Sequence, residues 1–254
     1  MTSILRPASV LILALVPILI SCVGAEDEAQ VIAEDEAQGI AEDKVSAVAY
    51  HMHGYLDQIS AIKAAVIAGR LEDTREPANW LATHEEPEGL PRAWLPYVEE
   101  MRHYAAMAAA ADNLVTAAAA VGEIGRICGD CHRASGFTVA FGYDERPPQD
   151  VQNVRTQMQR HLWAADRMWD GLVGPSDVAW KRGTDILAEV QLEASDVTDS
   201  ADQQTPVTNL LRRARSFGEI GSQATSVELR SGLYGEFLSL CATCHSLTGG
   251  GPAG

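Results

Sequence analysis

The clearest pattern along the chain is a helical one that occurs twice. Val45, Val48, Met52, Tyr55, Ile59, Ile62 and Val66 recur at steps of three and four, the spacing that keeps side chains on one buried helix face. A shift of 106 residues lands on Val151, Val154, Met158, His161, Ala165, Met168 and Leu172, the same seam again. Further along, Leu114, Ala117, Val121, Ile124 and Cys128 hold the period. VGEIGRICGDCH (121–132) then aligns with YGEFLSLCATCH (234–245) at an offset of 113. Two copies of one unit is the economical reading, and the seven-residue change of offset predicts a net insertion inside the second copy.

Each copy reads as four helices. In the first they cover about 45–68 and 77–83, a stretch starting near Pro91, and a run from Asp112 into CGDCH. In the second they fall near 151–173, 176–193, 206–217 and 226–245. Asp, Ser and Pro at several of these starts are residues that open helices. No run of alternating apolar and polar residues predicts a strand, so the expected fold is all-α. The expected organisation is two tandem four-helix bundles, 45–136 and 150–254, with 137–149 and its Pro147-Pro148 as linker. In an up-down-up-down bundle the first helix runs antiparallel to the fourth, so its start lies beside the fourth helix's end.

The N-terminal segment has a different pattern. A single charge, Arg6, precedes an apolar run from Val10 to Ile20, short for a bilayer span but suited to a signal peptide. The run ends in Leu19-Ile20-Ser21-Cys22, which resembles a bacterial lipobox. Residues 1–21 are thus expected to be a lipoprotein signal peptide and Cys22 the lipidated residue. AEDEAQ then occurs at 25–30 and again at 33–38. Such low-complexity acidic sequence cannot bury enough surface to fold, so 22–44 reads as a tether. The expected location is the bacterial cell envelope, on the periplasmic side, anchored to the membrane by lipid.

Charge narrows the partners. The net charge is −16, and eight acids between Glu26 and Asp43 contribute much of it. This argues against nucleic acid and mildly favours basic docking surfaces.

The cysteines carry the chemistry. Besides Cys22 there are Cys128 and Cys131, then Cys241 and Cys244, each pair in C-x-x-C-H with His132 or His245. That spacing marks covalent attachment of haem c, two copies here, each with its iron. Two thiols one turn apart reach two vinyl groups on one porphyrin edge, and the following histidine becomes the proximal iron ligand. A redox dithiol would need one pair near a βαβ pattern, and none is present. A four-thiolate zinc site would have to join pairs 113 residues apart, each with its own histidine.

Attachment at the far end of a four-helix unit, together with IGRICGDCH, resembles the cytochrome c-prime (class II) family. A class I cytochrome places C-x-x-C-H near its start and takes a methionine from far downstream. Here nine residues follow His245 and none is methionine. The resemblance implies that residues near Met52 and Met158 face the open side of the iron, where family members carry either an apolar group or a methionine. Met52 and Met158 are therefore candidate distal ligands. So are the neighbouring His53, which needs a rotation of the helix, and His161, which needs none. His84 and His103 read as ordinary polar histidines. No catalytic triad, phosphate loop or paired carboxylates appear, so an electron carrier serving redox proteins of the envelope is expected rather than an enzyme. The alternative is a diatomic-gas binder or sensor with an open iron.

Overall fold

Asn113, Asn153, Ser176 and Ser226 set the start of four of the major helices. Each side-chain oxygen accepts the backbone N–H three residues on, from Thr116, Thr156, Ala179 and Leu229 respectively, satisfying donors that the first helical turn leaves open. In the computed structural model, residues 48–85, 90–137, 139, 141 and 146–251 are described. Among them every element is helical and none is a strand. The signal peptide, the tether and Cys22 lie outside the described residues.

The first half contains α1 (48–67), α2 (Arg75–Thr83), α3 (Leu95–Ala109) and α4 (Leu114–Ser135). The second contains α5 (Val154–Val173), α6 (Asp177–Glu189), the short α7 (Ala194–Val197), α8 (Ala201–Gly221) and α9 (Val227–Thr248). α4 and α9 both end on a glycine in the left-handed region, Gly136 at φ 72° and Gly249 at φ 67°, the conformation that terminates helices without a Cβ penalty. The seven-residue insertion falls mainly in the third helix, where α8 has 21 residues and α3 has 15.

Three boundaries differ from the expectation. α6 stops at Glu189, and a separate one-turn α7 follows, its start held by Glu193 N–H donating to the Asp196 carboxylate at 2.9 Å. α8 begins five residues before Pro206 and carries that proline inside its second turn, where the ring replaces the hydrogen bond to the Asp202 carbonyl with a steric contact. The seam of α5 also frays at its start. Val151 and Val154 remain 45% and 40% exposed, whereas Ala165, Met168 and Leu172 are buried.

Residues Ala47–Gly254 form one compact unit, where two separate bundles were expected. A single apolar cluster runs through both halves, including Ile62, Val66, Val121 and Ile124 from the first and Met168, Trp169, Tyr234 and Phe237 from the second. The physical reason is the face shared by α4 and α9. A Cβ on Gly122 would come within 2.4 Å of the Ser231 carbonyl oxygen, and one on Gly235 within 3.0 Å of the Ala118 carbonyl oxygen. These contacts are reciprocal, since Gly122 matches Gly235 and Ala118 matches Ser231 at the offset of 113. Two copies of one surface therefore meet antiparallel around a pseudo-twofold axis, as in an isologous dimer. Small residues let the backbones approach, and the joined halves bury what each alone would expose. Nearby, Lys63 of α1 pairs with Asp166 of α5 at 2.7 Å and lies over the Trp169 ring.

Candidate functional site

The two C-x-x-C-H motifs occupy the last turns of α4 and α9, so helical geometry sets Cys128 one turn from Cys131 and Cys241 one turn from Cys244. All four are free thiols. Burial pushes Cys128 and Cys241 up to about 12, each with a smaller contribution from its partner cysteine, and burial also raises Cys131 and Cys244. They are therefore protonated at neutral pH, unlike the acidic thiols of dithiol oxidoreductases. Among the described residues, no three or more histidine, cysteine or acidic side chains cluster closely enough to hold a bare metal ion.

The histidines of both motifs are fixed in the same way. His132 Nδ1 lies 2.7 Å from the Val173 carbonyl oxygen, and His245 Nδ1 lies 2.5 Å from the Ile67 carbonyl oxygen. A carbonyl can only accept, so each Nδ1 carries the hydrogen. In the neutral imidazole this leaves the Nε2 lone pair available to a metal. Backbone carbonyls commonly play this role behind metal-bound histidines. The geometry sequence reasoning missed is the source of these carbonyls, since each belongs to the first helix of the other half.

Charge surrounds the first motif more than the second. Asp130 pairs with Arg126 at 2.9 Å and Arg133 at 2.7 Å, and Arg126 also reaches Glu123 and Glu100. The equivalent of Asp130 is Thr243, whose hydroxyl donates to the Ser239 carbonyl.

The second motif opens on a cavity of about 320 Å³. Cys241, Cys244 and His245 line it together with Met158 and His161, so the structure brings both predicted second-half distal candidates to their predicted motif. The rest of the lining includes Leu162, Ala165, Leu210, Leu211, Ala214 and Phe237 from α5, α8 and α9. The His161 imidazole stands edge-on to Phe237 and is pushed down to about 4, first by burial and then by the nearby His245. It is therefore neutral at physiological pH, the form that can ligate a metal.

The first half is arranged differently. Met52 is partly buried against the core, while His53 is exposed. At the position matching His161 stands Tyr55, buried and edge-on to both Trp80 and His84. His84 stacks on Trp80 at 3.8 Å and lies 5.8 Å from His51, centroid to centroid. His84 thus joins an aromatic cluster at the start of α1. The signal for this was its place at the end of α2, which an up-down bundle puts at the same end as the start of α1. His103 is exposed beside Tyr104. Compared with known protein families, curated proteins and solved structures, the chain matches none.

Proposed function

We propose that this chain is a di-haem c-type cytochrome of the cytochrome c-prime kind, an electron carrier of the bacterial cell envelope tethered through a lipid on Cys22. The observation that carries this is the repeated unit of two free thiols and an imidazole, with Nδ1 engaged and Nε2 free in both copies. The residues fit the group. Cys128 and Cys131 would hold one haem with His132 as proximal ligand, and Cys241 and Cys244 the other with His245. Haem bound there supplies a one-electron iron couple. The protein's own part is to fix the imidazoles, exclude water with the apolar walls around Leu211 and Phe237, and present a sixth ligand. In the second half His161 is favoured over Met158, because a neutral imidazole already faces the cavity that His245 lines. In the first half Met52 is favoured over His53, because Met52 packs inward and His53 is exposed.

A second reading, binding of a diatomic gas, draws on the apolar walls of the second cavity, which would shelter a small ligand if the sixth position were open. The optical spectrum of dithionite-reduced protein, before and after carbon monoxide, separates the two. Sharp reduced bands that the gas leaves in place are expected for the electron carrier. A shift would move the gas-binding reading ahead, and the absence of haem bands from protein made with the haem-attachment machinery would end both.

A further inference from the structure

We infer that the two halves complete each other's haem sites, each proximal histidine being oriented in trans by the last turn of the other half's first helix, so that the two irons are coupled. This rests on the di-haem reading above. The contacts obey the duplication. His132 and His245 correspond at an offset of 113, while their acceptors Ile67 and Val173 correspond at 106.

The acceptors are helix-end carbonyls, which have no i+4 partner inside their own helix. Among the described residues, neither receives a backbone N–H. They also lie at the negative end of the helix dipole. An imidazole N–H held there gains imidazolate character, which favours the ferric over the ferrous state of an iron on Nε2.

The close approach is built differently on the two sides. In the first motif it depends on Gly129, where a Cβ would lie 2.1 Å from the Leu172 carbonyl oxygen, and Pro175 packs behind it. In the second the motif residue is Ala242, and the glycine has moved to the helix end. Gly69, the counterpart of Pro175, adopts φ +74° and faces Ala242 and Ser246. Each contact thus has one glycine, placed on opposite partners.

Coupling follows from the path of α5. Met158, His161, Leu162 and Ala165 line the second cavity, and the same helix ends at Val173 behind His132. A change of ligand at the second iron that displaces α5 therefore alters the hydrogen bond of the first proximal histidine. By linkage the effect is reciprocal for binding.

The test uses the full-length holoprotein, with haem content measured first. In Gly129→Ala both haems are expected to remain, with the hyperfine-shifted Nδ1–H signal of His132 moved in NMR spectra and the midpoint potential of that haem raised. His161→Leu, 29 residues from His132 in sequence, is expected to move the same signal. Because Gly129→Ala could fail to fold, the unsubstituted protein gives a second readout: both proximal Nδ1–H protons should appear as hyperfine-shifted NMR signals protected from solvent exchange. Two haems bound with rapid exchange of those protons, or an unmoved His132 Nδ1–H signal and potential in both folded variants, would overturn the inference while leaving the di-haem reading intact. A wild-type protein without haem would remove both.

Discussion

The two motif-bearing ends share a backbone frame and differ in the side chains opposite it. Behind each motif histidine stands a helix-end carbonyl, at Val173 in one case and Ile67 in the other. In front, the second half has a cavity with His161 in it, while the first has Tyr55 at that position, packed with Trp80 and His84. A backbone contact repeated by pseudo-symmetry constrains both copies together, because a shift of one surface must be matched by its twin. A side chain two turns into the first helix is free to diverge. The two proposed haems are therefore expected to share proximal chemistry and to differ in distal chemistry.

The largest effect should come from removing one attachment site at a time. Replacing Cys128 and Cys131 with alanine, or Cys241 and Cys244, is expected to halve the haem content measured by pyridine haemochromogen, leaving one spectrally distinct haem in each case. Identical residual spectra from the two variants would erase the proposed distal difference. Loss of both haems from either variant would show that the sites are not filled independently.

Next in size is the seam that joins the halves. Gly122→Ala drives a Cβ toward the Ser231 carbonyl oxygen at 2.4 Å, a backbone atom that cannot swing away. Overpacking of this kind costs about 1–3 kcal/mol, read as a lowered urea midpoint. Gly232 in the same helix as Ser231 has no atom within 4 Å of a built Cβ. Gly232→Ala should therefore stabilise by up to about 1 kcal/mol through helix propensity. Equal effects at the two glycines would contradict a close α4–α9 crossing.

Much of this frame was legible in the amino-acid order, and the limits have physical causes. The offsets of 106 and 113 located the copies, and the seam of α1 and α5 placed Ile62, Val66, Met168 and Leu172 in the core where they lie buried. The merger of the halves was not legible, because Gly122 and Gly235 carry no hydrophobic signal. They matter only as missing side chains at a crossing between residues 113 apart. The trans carbonyls were hidden for a similar reason, since a backbone oxygen leaves no mark in the residue type. Gly129 in CGDCH was a visible trace of that contact, with no partner to give it meaning. At the site, Met158 and His161 were found because helix order puts the start of α5 beside the end of α9. Helix order likewise puts His84, at the end of α2, beside the start of α1, but its ring contacts with Tyr55 and Trp80 leave no pattern in the sequence.

A smaller effect tests the distal difference directly. His161→Ala is expected to make the His245 haem bind carbon monoxide, with a shift of the reduced Soret band, while the His132 haem remains distinguishable. Tyr55→Phe keeps the ring against Trp80 and should leave both reduced spectra almost unchanged. If His161→Ala changes nothing and Met158→Ala opens the site, methionine is the second-half ligand.

The smallest effect concerns a polar patch that only the second half carries. Asp170 occupies the position of Ala64 and is 2% exposed, paired with Arg167 beside a cavity of about 150 Å³ that Phe141 and Ser176 also line. Burial raises its carboxyl to about 7 despite the opposing charges of Arg167 and Lys63. Between its usual range near pH 4 and pH 7, the folded chain then holds a proton that the unfolded chain has released. Stability contributed by this group is thus present at low pH and lost as pH rises through that window, with a slope of at most about 1.4 kcal/mol per pH unit. Asp170→Asn should flatten that part of the pH profile in urea melts between pH 4.5 and 8. The slope is the informative quantity, because the substitution also leaves Arg167 buried without its carboxylate and lowers stability at every pH. An unchanged slope would mean that Arg167 holds Asp170 ionised, and that the patch on α5 is a fixed ion pair.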